Sequence, residues 1–227
     1  MKRNYDREML NVMEEIGRQG ETPRLLLHSC CAPCSTVCLE RLSELFAVTV
    51  FYYNPNIFPE EEYLFRKKEQ LEFIARHSFA HPVDFIDGDY DTERFYAAVK
   101  GHENDPERGE RCRICYRLRL GRAAEEAAAG GFPYFTSTLT LSPLKDTEAL
   151  NTIGEEEAAR CSVIWLPSDF KKRNGFLRSC ELTQQYGMYR QDYCGCIYSL
   201  RKGAGHIPAD APENASQPSR SSSMTSE

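Results

Sequence analysis

Short apolar segments alternate with longer amphipathic segments along most of this chain. The pattern predicts strands at 25–27, 48–53, 83–86, 132–135 and 163–166, and helices at 5–19, 35–45, 60–76, 111–129, 146–160 and 176–186. Such alternation favours a parallel α/β sheet with helices on both faces. Ligands of these sheets bind at the carboxyl ends of the strands, so we expect the loops after residues 27, 53, 86 and 135 to share one rim.

Composition divides the chain into a folded part and a tail. The 227 residues, of which 41% are hydrophobic, are enough for one domain with a substantial core. Residues 203–227 contain mainly Gly, Ala, Pro, Ser and Asn, with almost no large apolar side chain. That segment cannot bury enough apolar surface to offset the entropy of ordering it. The sequence therefore predicts one folded catalytic domain over 1–202 and a disordered tail over 203–227.

Hydropathy and cysteine content together predict the compartment and the use of the thiols. The chain has no apolar run of about 18 residues, and its charged N-terminus lacks the apolar core of a signal peptide. We therefore expect a cytoplasmic protein with no membrane contact. In a reducing compartment the ten cysteines are expected to act as ligands or catalysts rather than as structural disulfides.

The first group of cysteines follows the first predicted strand. Cys30 and Cys31 are adjacent, and Cys34 comes one helical turn later. The start of a helix favours thiolates, which makes these thiols candidate metal ligands. Cys38, Cys161 and Cys180 are more simply explained as small apolar or surface residues, and the pattern does not decide the role of Cys34.

The second group is Cys112 and Cys115, spaced so that both thiols lie on one face of a helix. A single pair of this kind fits half of a zinc site, a dithiol redox pair or half of an iron–sulfur site. Cys30 and Cys31 are the obvious source of two further thiolates. Together the two pairs would give four ligands, enough for a [4Fe–4S] cluster or a zinc ion.

The third group is Cys194-Gly195-Cys196. A disulfide between these cysteines would close a very small ring, for which the glycine allows the backbone geometry. Such a bond is expected to be strained and easily reduced, which suits catalysis better than structure. The alternative is two unrelated thiols in a tight turn.

Basic residues near the second group are candidates for binding a phosphate backbone. The net charge of −6 argues against a protein covered by nucleic acid but leaves local basic patches open. Each cluster alone is more often a solvated surface. The candidates are Arg111, Arg113, Arg117, Lys171, Lys172 and Arg173.

Five segments of the chain resemble the QueH family of epoxyqueuosine reductases. They are LLLHSCCAPC at 25–34, FYYNPNI at 51–57, RCRICYRLRL at 111–120, TSTLTLSP at 136–143 and GMYRQDYCGCIYS at 187–199. The last segment is the most specific. The resemblance covers about 25–198 and implies a Rossmann-like sheet related to the HUP and PP-loop group, with a cysteine-rich site at the carboxyl rim of the strands.

The resemblance also implies an activity and its cofactors. The activity is the reduction of epoxyqueuosine, at the anticodon wobble position of tRNA, to queuosine, with electrons from an external donor. Carried over by position, Cys30, Cys31, Cys112 and Cys115 would bind a [4Fe–4S] cluster, and Cys194 and Cys196 would form a redox-active disulfide. A second, mononuclear iron near the cluster is also consistent with the family, without assigned ligands.

Two other functions fit parts of the sequence. A PP-loop enzyme that uses ATP to transfer sulfur to tRNA would share the fold and the cysteines, but the turn at Ser29-Cys30-Cys31-Ala32 lacks the glycines of a nucleotide loop. A zinc-binding RNA module without catalytic activity would explain the thiol pairs but not the Cys194-Gly195-Cys196 element.

Overall fold

The computed structural model describes residues 3–200, which form one sheet and its covering helices. The strands are β1 (Arg24–His28), β2 (Ala47–Tyr52), β3 (Asp84–Asp87), β4 (Tyr134–Ser137) and β5 (Ile164–Trp165). The helices are α1 (Tyr5–Gln19), α2 (Ala32–Leu42), α3 (Glu60–Arg76), α4 (Thr92–Ala98), α5 (Glu110–Ala129), α6 (Thr147–Cys161) and α7 (Gly175–Gln185). The predicted tail and its boundary at residue 202 lie outside these residues.

The five strands form a parallel sheet in the order β3-β2-β1-β4-β5. Strand β1 is central, with Leu25 opposite Val48 of β2 on one side and opposite Tyr134 of β4 on the other. The chain therefore builds the sheet outward from β1 in both directions. The predicted Rossmann-like architecture is confirmed, and its switch point lies between β1 and β4, where ligands bind in such folds.

The core has two layers, one on each face of the sheet. Leu25 and Leu27 of β1 pack with α1, α2 and the C-terminal half of α3 on one face. Leu26, which points the other way, packs with α5 and α6. This alternation follows from the two-residue period of a strand, and it explains why the short apolar runs are buried on both sides.

Two helices differ from the predicted pattern. Helix α2 begins at Ala32 rather than at residue 35, because Pro33 fits the first turn of a helix, where its missing N–H costs nothing. Helix α4 was not predicted; it has only seven residues and begins where the Asp91 side chain accepts a hydrogen bond from the Arg94 N–H. None of the helices within residues 3–200 has the length and apolar character needed to cross a bilayer.

Candidate active site

Three thiols lie close together where β1 passes into α2. The sulfurs of Cys30 and Cys31 are 3.8 Å apart. The Cys34 sulfur, in the first turn of α2, completes a triad whose sulfurs all lie within 4.8 Å of one another. Thiolates so arranged could hold a metal, because soft sulfur ligands suit zinc and iron–sulfur centres.

The second thiol pair approaches the first from helix α5. Cys112 and Cys30 line the same cavity, and the Cys112 sulfur accepts a hydrogen bond of 3.3 Å from the Arg108 N–H. Cys115 is buried and packs against Cys196 in a small apolar cluster. Helix α5 therefore places its first thiol on the cavity that Cys30 also lines and its second thiol against Cys196.

The Cys194-Gly195-Cys196 element is held by contacts with α3 and with the loop before it. The Gly195 carbonyl accepts a hydrogen bond of 2.9 Å from the Phe58 N–H, and Gly195 has a φ of 107°. A Cβ at this position would lie 2.9 Å from Cγ1 of Ile57 and 3.0 Å from Nη1 of Arg66. Only glycine fits this turn, for both conformational and steric reasons.

The three cysteine groups surround one cavity of about 400 Å³. This volume lies within the range of small-molecule sites. Cys31 is buried, and the amide of Gln191 donates a hydrogen bond of 2.8 Å to its sulfur. The thiols that line the cavity directly are Cys30, Cys34, Cys112, Cys194 and Cys196.

Buried cations also line the cavity. Arg66 and Arg119 are each about 1% exposed. Arg119 donates to the side-chain oxygen of Asn54. Within residues 3–200, Nε of Arg119 and Nη2 of Arg66 have no hydrogen-bond partner. A buried cation is costly unless a negative charge lies near it. Arg66 already pairs with Glu62 at 2.7 Å, whereas Arg119 forms no ion pair with a carboxylate within residues 3–200. A tetrathiolate iron–sulfur cluster is anionic, so the donor set and the buried charge of Arg119 fit such a centre.

The thiols differ in how readily they ionise. Hydrogen bonds from Cys31 and Cys34 hold the pKa of Cys30 well below its usual range, while the pKa of Cys31 rises to about 12. Likewise a hydrogen bond from Cys196, followed by the charge of Lys145, lowers the pKa of Cys194, and the pKa of Cys196 rises. Burial raises the pKa of Cys115 to about 11. Each of the first and third groups thus contains one thiolate stabilised by its neighbours.

His28 ends β1, two residues before Cys30. Its ring is fully buried, with Nε2 3.1 Å from the Tyr53 carbonyl and Nδ1 2.8 Å from the Ser137 hydroxyl. A carbonyl can only accept, so Nε2 carries the proton and Nδ1 accepts from Ser137. Burial, reinforced by the nearby charge of Arg119, lowers the pKa of His28 to about 3. The imidazole is therefore neutral in the folded protein.

Acidification is expected to destabilise the fold through His28. The group has a pKa of about 3 when folded and an ordinary value of 6.5. Between these values the unfolded chain binds a proton that the folded chain does not, so stability falls as the pH drops below 6.5. The loss at pH 5 is about 2 kcal/mol. Urea denaturation at pH of about 7.5 and about 5 measures it.

A His28→Gln variant is the matched control for this prediction. Glutamine keeps hydrogen-bonding capacity but does not titrate, so acidification should cost the variant about 2 kcal/mol less than the wild type. An equal loss in both proteins would contradict the assignment to His28.

The predicted RNA-binding residues are mostly engaged within the protein. Arg111 is buried beside the cavity, and its guanidinium donates to the Glu103 carbonyl at 2.8 Å. The others do not line the cavity. Four of them pair with carboxylates: Arg113 with Asp146, Arg117 with Glu156 and Glu157, Lys171 with Asp169, and Arg173 with Asp6. Lys172 is exposed. A role in RNA binding stays a prediction for all six.

Three cations of the cavity were not predicted to stabilise thiolates. Arg119 lies four residues after Cys115, so helical spacing could have placed it on the thiol side of α5. Arg66 and Lys145 reach the cavity through tertiary contacts, with Lys145 Nζ 3.0 Å from the Cys194 sulfur. No local pattern identifies those two.

Comparison with known proteins gives one consistent result. The family model described as "Epoxyqueuosine reductase QueH" matches residues 25–202. A Streptococcus pyogenes protein of that name is 40% identical over 202 residues, which cover 88% of this chain and 79% of the relative. The Haemophilus influenzae protein is 43% identical over 180 residues, 78% of this chain and 72% of the relative. The Thermotoga maritima protein is 35% identical over 182 residues, 78% and 90% of the two chains.

Proposed function

The chain belongs to the epoxyqueuosine reductase QueH family, and on that premise we propose that it reduces epoxyqueuosine to queuosine in tRNA. The observation that carries the proposal is the convergence of three cysteine groups, distant in sequence, on one cavity that also contains buried cations. Removing an epoxide oxygen requires two electrons, which ordinary acid–base side chains cannot supply. A cavity lined by thiols provides the redox chemistry that this reaction needs.

The redox pair of this proposal is Cys194 and Cys196. Oxidation of the two sulfurs to a disulfide releases two electrons. These electrons reduce the epoxide, so that both of its C–O bonds break and a C=C double bond is left. One proton leaves the Cys196 thiol, and the second comes from solvent because Cys194 is already a thiolate. The oxygen departs as water, so atoms and electrons balance. An external donor then returns two electrons to the disulfide.

Four thiols would hold a [4Fe–4S] cluster in this scheme: Cys30, Cys31, Cys112 and Cys115. When bound, the cluster would supply one-electron transfer between the external donor and the site. Cys34 adds a thiol beside Cys30 and Cys31, where a second metal ion such as iron would find a ligand. The unpartnered N–H groups of Arg66 and Arg119 would offset the negative charge of the ligand thiolates.

The substrate is a base in the anticodon loop of tRNA. A modified wobble base that is splayed out of its stack can enter a cavity of about 400 Å³. Exposed Phe176 and Arg190 line the mouth of the cavity, with the guanidinium 4.9 Å from the centre of the ring. Because its substrate is tRNA, we place the activity in the cytoplasm.

The decisive test is a single-turnover reaction. Protein that has been purified and reduced without oxygen is incubated with tRNA containing epoxyqueuosine, and the digested nucleosides are analysed by mass. Epoxyqueuosine should lose one oxygen and become queuosine, in an amount matching the enzyme present. Unchanged epoxyqueuosine would refute the proposal, and a reaction that requires ATP would favour the PP-loop alternative.

A further inference from the structure

Lys145 makes a direct contact with one sulfur of the redox pair. Its Nζ lies 3.0 Å from the sulfur of Cys194. Within residues 3–200 it forms no ion pair with a carboxylate, and its side chain points into the thiol-lined cavity. A half-buried lysine ammonium that lacks an acidic partner is unfavourable unless another negative group compensates for it. The thiolate of Cys194 is that group.

The loop that carries Lys145 is fixed by other parts of the fold. Arg108 donates hydrogen bonds of 2.7 Å and 2.9 Å to the carbonyls of Pro143 and Leu144. The Lys145 N–H itself donates to the Ser142 carbonyl at 3.3 Å. The ammonium is therefore held at the sulfur by the surrounding structure, so less side-chain entropy is lost in forming the contact.

Other ionisable groups face the same sulfur, but none of them replaces Lys145. Cys196 lies two residues from Cys194, and Arg119 of α5 acts on the Cys194 thiol through its charge. Burial, and in addition the Cys194 charge, raises the pKa values of Cys115 and Tyr116. Arg66 of α3 donates to the Cys194 carbonyl at 3.4 Å rather than to its sulfur. Within residues 3–200, Lys145 supplies the one cationic nitrogen that is hydrogen-bonded to the Cys194 sulfur.

We propose that Lys145 is a positioning residue: its ammonium, held against the Cys194 sulfur, stabilises the reduced form of the redox pair and thereby makes the disulfide easier to reduce. This inference rests on the redox role given to the pair in the proposed function. Reduction adds two electrons and one proton to the S–S bond. The products are the Cys194 thiolate, paired with the Lys145 ammonium, and the Cys196 thiol, which keeps the proton. A cation that favours the reduced form shifts this equilibrium toward it.

The test compares Lys145→Met with the wild type in two measurements that do not require tRNA. Reduced protein, purified without oxygen, is pulsed with iodoacetamide at a series of pH values. Trypsin releases the peptide 191–201, whose fragment ions distinguish an adduct on Cys194 from one on Cys196. Near neutral pH, the variant should alkylate about tenfold more slowly at Cys194. In a glutathione redox buffer its equilibrium constant for reduction should fall about tenfold, equivalent to about 30 mV.

Two further variants make the result specific to the charge at this position. Lys145→Arg keeps the cation and should restore most of the wild-type behaviour. Lys67→Met removes another half-buried lysine, on α3, which pairs with Asp87 of β3, and it should behave as the wild type. The inference is overturned if Lys145→Met is alkylated at Cys194 at the wild-type rate and has the wild-type equilibrium constant for reduction. It is also overturned if Lys145→Arg shows the same alkylation rate and equilibrium constant as Lys145→Met. The same holds if Lys67→Met changes both quantities by as much as Lys145→Met does.

These outcomes separate the inference from the proposed function. If the alkylation and redox shifts occur but the wild type leaves epoxyqueuosine unchanged, the role of Lys145 stands and the substrate is wrong. If the wild type reduces epoxyqueuosine in tRNA but Lys145→Met alkylates normally, the function stands and the inference fails.

Discussion

Replacing Cys194 by serine is expected to abolish epoxyqueuosine reduction, with turnover falling at least about a thousandfold. A hydroxyl cannot form a bond with the Cys196 sulfur under these conditions, so the pair of electrons is no longer available to the substrate. The fold should survive, because serine is close to cysteine in volume and the Gly195 carbonyl still accepts from the Phe58 N–H. The measurement is the rate of queuosine formation in tRNA under anaerobic conditions.

The iron content separates this effect from loss of the metal centre. Cys194→Ser should retain its iron and visible absorbance, since Cys194 is not among the four proposed cluster ligands. Cys161→Ser is the matched control, because Cys161 is a half-buried cysteine at the end of α6 that does not line the cavity. Undiminished turnover in Cys194→Ser would remove the disulfide from the mechanism.

Replacing Cys112 by serine is expected to remove the cluster. The wild type, purified without oxygen, should be brown and contain at least about four irons per chain with about four sulfides. Serine is a much poorer ligand for iron than a thiolate, so the variant should retain fewer than about one iron and lose its visible absorbance. Metal analysis and the absorption spectrum of both proteins give the result.

Cys34→Ser distinguishes the two ways in which the cavity could bind metal. The proposed ligand set omits Cys34, so this variant should keep its four irons. If instead Cys34→Ser loses the metal and Cys112→Ser keeps it, the compact triad at the end of β1 is the binding site. A colourless wild type with one zinc per chain would contradict the iron–sulfur proposal altogether.

The sheet and the meeting of the first two cysteine groups follow from local patterns. The bounds of α1 and α3 agree with the predicted helices, and the five predicted strands all occur. Because Cys30 comes directly after β1, the geometry of a parallel sheet places it at the carboxyl rim. Helical spacing then puts Cys112 and Cys115 within one turn of α5.

The third cysteine group shows what such patterns leave undetermined. Residues 187–200 contain only a three-residue 3₁₀ segment, Ile197–Ser199, so no periodicity indicates where the chain goes. Its path depends on distant partners such as Phe58 and Arg66. The same holds for surface charge: the sequence places Arg117 and Arg173 in basic clusters, but only the fold reveals that acidic side chains pair with them.

The position of β1 at the centre of the sheet has a consequence for the assembly of the proposed metal site. Its neighbour β4 lies almost half the chain away, since Leu25 pairs with Tyr134. Contacts between segments so far apart form late, because the closure of a long loop must be completed first. On a ribosome, Cys30 emerges long before α5, and Cys194 emerges later still. Iron delivered to the nascent chain would meet the triad alone, so insertion of the proposed four-thiolate cluster must wait until α5 has been synthesised and has packed against the sheet.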